Sequence, residues 1–241
     1  MLSAYRVAKR YDIDSLMERS KSGAGGHLWI FFDNNIYASY ARKLGFFLLD
    51  EAMKVNKRIS FKSFDRLFPN QDTMPIGGIG NLIALPMQYD AINSNKNTLF
   101  IDEDGKLVSS QFIHLANIKK TSSLKVEEIC QKNTEGIFSN KISEETAVKF
   151  NNEIKVVEDS MLKIYRLNLN ALTLNTIKKI ASIWNPEYFL FQNTHRPIFH
   201  KTTPAILSEY EESDKYLYLP RGLKDKLCLL YTSPSPRDIS G

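Results

Sequence analysis

Two short strings hold the residue types best suited to phosphate chemistry. The first is Ser20-Lys-Ser-Gly-Ala-Gly-Gly-His27, followed at once by Leu-Trp-Ile-Phe-Phe32. Glycines let a backbone approach a phosphate closely and turn its N–H groups inward. Ser20 and Ser22 can donate hydroxyl hydrogen bonds to phosphate oxygens, and Lys21 can supply charge. His27 stands where a strand begins, so its side chain can point into the same concavity. The string is not a P-loop, because no Gly-Lys-Ser/Thr follows at the required spacing. It is not a dinucleotide fingerprint either, because its glycines precede a strand and not a helix. Taken alone, it reads most simply as a flexible turn with a capping histidine.

The second string runs Ile59-Ser-Phe-Lys-Ser-Phe-Asp65-Arg-Leu-Phe-Pro-Asn70-Gln-Asp72 and then Gly77-Gly-Ile-Gly-Asn81-Leu-Ile-Ala-Leu-Pro86. A carboxylate at a strand end beside lysine and arginine suits divalent-metal and triphosphate chemistry. Magnesium takes one or two carboxylates plus substrate oxygens, and two-metal nucleotidyl transfer draws carboxylates from more than one strand. Asp65 and Asp72 are the carboxylate candidates, Asn70 is a further loop candidate, and Lys62 and Arg66 could neutralise phosphates. On spacing alone, a surface ion-pair cluster of Lys62, Asp65 and Arg66 beside a glycine-rich turn is the simpler reading.

Other charged groups read blandly. Asp102-Glu-Asp-Gly105 fits a hairpin turn, since an EF-hand loop would need an acidic residue where Ile113 stands. His195 and His200 have no cysteine near them and do not read as a metal pair. Asp12-Ile-Asp14 reads as a solvated turn at a helix end. Glu209 to Asp214 reads as a solvated loop, and Trp29 and Trp184 as core residues.

The elements that must position these residues follow from periodicity. Met1 to Asp14 ends a helix, with Tyr5, Ala8 and Tyr11 at helical spacing. Ser15 to Ser20 is a short strand, Lys21 to Gly26 a glycine-rich loop, and His27 to Phe32 a buried strand. Ile36 to Val55 is a long helix with Tyr40, Leu44, Phe47, Leu48 and Met53 on its packing side. Arg58 to Phe64 and Asn81 to Pro86 read as strands on either side of a Pro- and Gly-rich loop. Thr98 to Val108 is a hairpin and Ser110 to Lys120 a helix. Beyond a polar connector with helices at Leu124 to Asn133 and Ser143 to Asn152, Met161 to Asn170 alternates as a strand. Leu174 to Trp184 is a helix, Asn185-Pro-Glu187 opens another, and Ile198 to Phe199 and Tyr216 to Leu219 are strands.

The 241 residues allow one large domain or two small ones, and 43% hydrophobic with 24% charged content is ordinary for a globular chain. A net charge of +5 suits a nucleic-acid partner without requiring one. Two cysteines, Cys130 and Cys228, exclude a disulfide framework or a zinc cluster and suit a reducing cytoplasm. The most apolar stretch, Leu28 to Met53, carries Asp33, Asn34, Asn35, Arg42 and Lys43, so no membrane span is expected. The string from Cys228 to Gly241 resembles translated adapter sequence and is expected to be an artefact tail. The N-terminus reads as cut.

Together the two strings resemble the archaeo-eukaryotic primase domain of TOTE conflict system polyproteins. The matching blocks are Ser22 to His27 with Leu28 to Phe32, the helix Ala41 to Met53, Ser63 to Asp72 and Gly77 to Pro86. Asn185-Pro-Glu-Tyr-Phe189, Arg196-Pro-Ile198 and Leu219-Pro-Arg-Gly222 resemble the segment leading into the superfamily-2 helicase of the same polyproteins. The resemblance implies an α+β fold with a partial RRM-like primase core over residues 1–120. A connector over 121–159, a small α/β helicase-preceding segment over 160–227 and the tail over 228–241 would follow.

The same resemblance implies Mg2+- or Mn2+-dependent, template-directed transfer of a nucleotide to a 3′ hydroxyl, so the partners would be nucleic acid and nucleoside triphosphates. It makes Asp65 and His27 the catalytic pair and Asp65 the metal-binding carboxylate. Ser20, Ser22, His27, Lys62 and Arg66 become the phosphate contacts. The family's first Asp-x-Asp metal motif has no counterpart here, so this piece alone is expected to be inactive. The alternative is a non-catalytic nucleic-acid-binding module serving a helicase.

Overall fold

The computed structural model describes residues 1–61, 64–73, 76, 82–132, 154–194 and 203–230, without the side chains of Gln192 and Asn193. Helices combine with antiparallel sheets, so the fold is α+β as expected. The chain divides into two compact units. The first holds Met1–Ala52 and Leu67–Phe138, and the second holds Met53–Arg66 and Ser139–Gly241. Among the described residues, no helix is long and apolar enough to cross a membrane.

In the first unit, α1 (Leu2–Arg10) buries Ala4, Val7 and Ala8, which lie on one face at the i, i+3, i+4 spacing. Asp12 takes a left-handed φ of 57° and turns the chain into β1 (Leu16–Arg19). β1 is the middle of three strands, between β2 (Gly26–Trp29) and β3 (Phe100–Ile101). Its central place explains why Leu16, Met17 and Glu18 are all buried although they alternate between faces.

The run from His27 was expected to be a buried strand to Phe32. The strand instead runs only from Gly26 to Trp29, and its residues are exposed or half-buried. β2 is an edge strand with one ladder partner, so composition overstated its burial. The chain then leaves the ladder, where Phe31 O accepts from Thr121 N at 2.7 Å and Asp33 N donates to Thr121 O at 3.1 Å.

α2 (Ala38–Val55) buries Leu44, Phe47, Leu48, Ala52 and Met53. Tyr40, expected on that side, is half-exposed. Gly45 interrupts the helix's run of larger side chains, and a Cβ there would overlap Leu67, so the glycine admits that side chain against the helix. α3 (Tyr89–Asn95) leads into the hairpin, where Asp102 Oδ1 accepts from Asp104 N at 3.0 Å and Lys106 N at 2.9 Å. Those bonds commit the Asp102 carboxylate to its own turn. Glu103 of the same turn pairs with Arg6 and Lys9 of α1. α4 (Gln111–Ala116) is shorter than expected, and Gln111 bonds both the N–H and the C=O of Phe100. α5 (Ser123–Lys132) closes the unit with Val126, Ile129 and Cys130 inward. Burial pushes the Cys130 thiol up from its ordinary range.

The second unit is built on a four-stranded antiparallel sheet. β4 (Val156–Glu158) and β5 (Leu162–Tyr165) precede α6 (Ala171–Ile180), which Asn170 caps by accepting from Thr173 N at 2.7 Å. β6 (Ser182–Trp184), α7 (Pro186–Asn193) and β7 (Ile206–Ser208) follow. Then come β8 (Glu211–Glu212), β9 (Tyr216–Leu219), a single 3-10 turn at Arg221–Leu223 and α8 (Lys224–Leu229). The sheet order is β4-β5-β9-β8, with Leu162 opposite Leu219 and Ile164 opposite Leu217. These four side chains, with Leu174 and Ile177 of α6, are fully buried.

Four further expectations need correction, the first being the solvated loop over Glu209 to Asp214, where Glu211–Glu212 pairs with Leu217 and Tyr218 as a strand and Tyr210 is buried. The helix expected over Leu174 to Trp184 ends at Ile180, because Ser182–Trp184 pairs with Ile206–Ser208 as a strand. Arg58 to Phe64 forms no strand over its described residues. Arg58 N bonds Asn56 Oδ1, Ile59 N bonds Asn56 O and Phe64 N bonds Phe61 O, so local turns use the groups a ladder would need. Leu82 to Pro86 is not a strand either, and Leu82, Ile83 and Leu85 are exposed. Ser143 to Asn152 and Ile198 to Phe199 lie outside the described residues.

One charge cluster of this unit is centred on a buried lysine. Lys178 Nζ lies 2.6 Å from Glu212 Oε1, which also meets Arg166 Nη1 at 3.2 Å, and the ammonium stands 5.7 Å from the Tyr210 ring centre. Lys178 is only 1% exposed and Glu212 23% exposed. Burial lowers the Lys178 pKa, and Glu212 partly offsets that shift. Glu212→Ala should therefore destabilise the fold by about 3 kcal/mol, since it strands a buried ammonium. Lys178→Met should cost much less, because it removes the desolvated charge itself. Urea denaturation of the two variants checks this order, and equal losses would contradict it.

Candidate functional site

The glycine loop is a closed turn anchored on β1. Ser20 N donates to Gly25 O at 3.0 Å and Gly23 N to Ser20 O at 2.9 Å. Gly25 N donates to Ser20 Oγ at 3.1 Å and Ala24 N to Ser22 Oγ at 3.4 Å. The loop's N–H groups at residues 23 to 25 are thus spent inside the turn and do not line an anion nest. Ser20 Oγ and Ser22 Oγ lie 3.1 Å apart and share one hydroxyl hydrogen, so the pair keeps the other for an outside acceptor. Lys21 is exposed at the loop surface.

Gly23 has a φ of 76°, the left-handed region that favours glycine. Behind it lies Asn97, which is buried and whose Nδ2 donates to Lys21 O at 2.9 Å. Asn97 is a residue that sequence reasoning missed. It sits 76 positions from Lys21, and no local pattern marks it.

His27 lies on β2 directly opposite Glu18 of β1. Its Nδ1 lies 3.1 Å from Glu18 Oε2, within hydrogen-bond distance, and Trp29 Nε1 donates to the same oxygen at 2.5 Å. The His27 side chain is 50% exposed while that of Glu18 is 1% exposed. The ring therefore reaches from a buried carboxylate toward solvent. Glu18 was also missed by sequence reasoning. Its one signal is an acidic residue between Met17 and the loop in a strand otherwise suited to burial. Trp29, expected as core, is half-buried and serves as a donor to Glu18.

The other candidates fall elsewhere. Ser20, Ser22 and His27 belong to the first unit, whereas Asp65 and Arg66 belong to the second. Asp65 is 56% exposed and lies 3.3 Å from Arg66 Nε. Lys62, Gly77 to Asn81, His195 and His200 lie outside the described residues. Asp72, in the first unit, pairs with Arg42 Nε at 2.8 Å, and Arg42 Nη1 donates to Pro69 O at 3.1 Å. That arginine ties the loop to α2, so Asp72 has a structural partner. Asp12 pairs with Lys125 at 3.3 Å.

Among the described residues, no group of three or more His, Cys, Asp or Glu could hold a metal ion. The exposed Asp65 beside Arg66 does not by itself fit a dedicated metal centre, which needs converging oxygen ligands.

Removing the Asn97 anchor tests the loop geometry. Asn97→Ala should loosen the turn by about 1 kcal/mol, the worth of one buried hydrogen bond. Amide exchange at Gly23 and Gly25 should accelerate while the amides of α2 keep their protection. Unchanged exchange at both glycines would contradict the anchoring role.

Comparison with known proteins bears on the first half of the chain. No curated protein matches it. The family model described as the TOTE conflict system, Archaeo-Eukaryotic Primase domain, matches residues 1–129, a span that contains the loop, His27, Asp65 and Asp72. The chain belongs to the archaeo-eukaryotic primase domain family of TOTE conflict systems.

Proposed function

We propose that this chain contributes the triphosphate-contacting part of a primase-polymerase that transfers nucleotides, on a template, to a 3′ hydroxyl. The observation that carries the reading is the Ser20–His27 loop, whose closed turn leaves a half-exposed histidine braced by a buried carboxylate. Family membership supplies the reaction class. Lys21, the one spare hydroxyl hydrogen of Ser20 and Ser22, and His27 are the groups that would hold phosphate oxygens. Charge-assisted bonds of this kind bind phosphate more strongly than neutral ones.

In the same reading, Asp65 would be one carboxylate of a metal site whose further oxygen ligands come from substrate phosphates and from outside the described residues, and Lys62 and Arg66 would neutralise phosphate charge. A divalent ion, Mg2+ or Mn2+, would supply electrostatic stabilisation of the transferring phosphoryl group. Residues 180–223 are read as the segment leading into a superfamily-2 helicase, on the strings at Asn185 to Phe189 and Leu219 to Gly222.

Primer synthesis or extension by the full polyprotein checks the reading. Asp65→Ala should abolish it, and His27→Ala should lower it by about 100-fold or more, as loss of a preorganised electrostatic donor does. Activity unchanged in Asp65→Ala would overturn Asp65 as the catalytic carboxylate, whereas nucleic-acid binding without any primer synthesis by the unaltered protein would overturn the enzyme assignment.

A further inference from the structure

We propose that Glu18 is the positioning residue for His27, holding its ring as an imidazolium that donates to a phosphate through Nε2. The inference rests on the reading of His27 as a phosphate contact and adds the residue that makes it competent. An ionised Glu18 has only acceptors to offer, and with it in that form the contact between His27 Nδ1 and Glu18 Oε2 places a hydrogen on Nδ1. In a neutral ring the other nitrogen, Nε2, would then carry a lone pair and would repel a phosphate oxygen. The ring can donate to phosphate only when Nε2 also carries a proton, which is the imidazolium form.

The surroundings of Glu18 favour that form. Its side chain is 1% exposed, and a buried carboxylate is costly without a charged partner or several donors. Trp29 Nε1 supplies one neutral donor to Oε2, and the His27 ring meets the same oxygen. An imidazolium at 3.1 Å balances the carboxylate charge where a neutral ring would not. When phosphate binds a neutral ring, the proton comes from solvent and goes onto Nε2; no covalent bond to the ligand forms.

The strands fix the pair's geometry. Glu18 and His27 are direct partners in the antiparallel register of β1 and β2, on one face of the sheet. Trp29 lies two residues along β2 and reaches the same oxygen from the diagonal position. The register brings the two side chains together, and the contact to Glu18 Oε2, itself held by Trp29 Nε1, orients the ring.

The test uses the 241-residue chain with inorganic triphosphate as the probe, followed by calorimetry and by 15N NMR of the histidine rings at one fixed pH. With saturating triphosphate, the wild-type His27 ring should give the signature of two protonated nitrogens. Glu18→Gln should abolish that signature and weaken triphosphate binding about 10-fold, close to the loss in His27→Ala. Glu18→Asp keeps the charge one methylene further away and should fall between the two. It also serves as the readable variant if Glu18→Gln does not fold. Trp29→Phe should keep the imidazolium signature. If His27→Ala weakens binding but both Glu18 variants bind as the wild type does, with an unchanged ring signature, the positioning role is overturned and the phosphate reading stands. If His27→Ala itself binds triphosphate unchanged, the phosphate reading falls, and this inference falls with it.

Discussion

A carboxylate buried in the middle strand of a three-stranded sheet needs donors, and the first unit is arranged around meeting that need. Glu18 occupies the central strand because the strand's neighbours, Leu16 and Met17, bury on both faces. Its two donors come from the edge strand that follows the glycine loop, His27 and Trp29. The loop must therefore be short and tight enough to return the chain in register, with Arg19 opposite Gly26 and Glu18 opposite His27. Gly23 at its left-handed φ and the buried Asn97 behind it accomplish that return. The same constraint spends the loop's N–H groups internally and leaves the histidine side chain half exposed to solvent.

Electrostatics in the second unit follows a related rule with a different outcome. Lys178 is buried with Glu212 and Arg166 around it, and its charge is balanced inside the fold. Of that cluster Lys178 is the buried member, with Glu212 and Arg166 partly exposed around it. Lys178 is committed to the fold by its burial, whereas His27 keeps half of its side chain exposed beside a buried carboxylate.

Much of the architecture was legible in the sequence where one element's own periodicity decides it. α2, α5 and the Tyr216–Leu219 strand follow from apolar spacing, and α7 from Asn185 and Pro186, whose capping chemistry is local. Legibility failed where partners decide. His27 to Phe32 looked like a buried strand, but among the described residues β2 pairs only with β1. Arg58 to Phe64 alternates like a strand, yet Asn56 draws its backbone into turns. Ser182–Trp184 continued a helical pattern until β7, more than twenty residues downstream, claimed its hydrogen bonds. The candidate site shows the same division. His27 and the serines were visible in a contiguous string, but Glu18 and Asn97 act through register and through a contact 76 residues away, which no local pattern encodes.

The central claim is that the phosphate chain of a nucleoside triphosphate lies against the Ser20–His27 loop with the histidine ring as its donor. A crystal structure of the chain with a non-hydrolysable nucleoside triphosphate tests it most directly. The account predicts phosphate oxygens at hydrogen-bond distance from His27 Nε2 and from one serine hydroxyl of the loop, with the bond from Nδ1 to Glu18 retained. Triphosphate bound away from the loop, or a His27 ring turned off Glu18 and out of contact with phosphate, would contradict it.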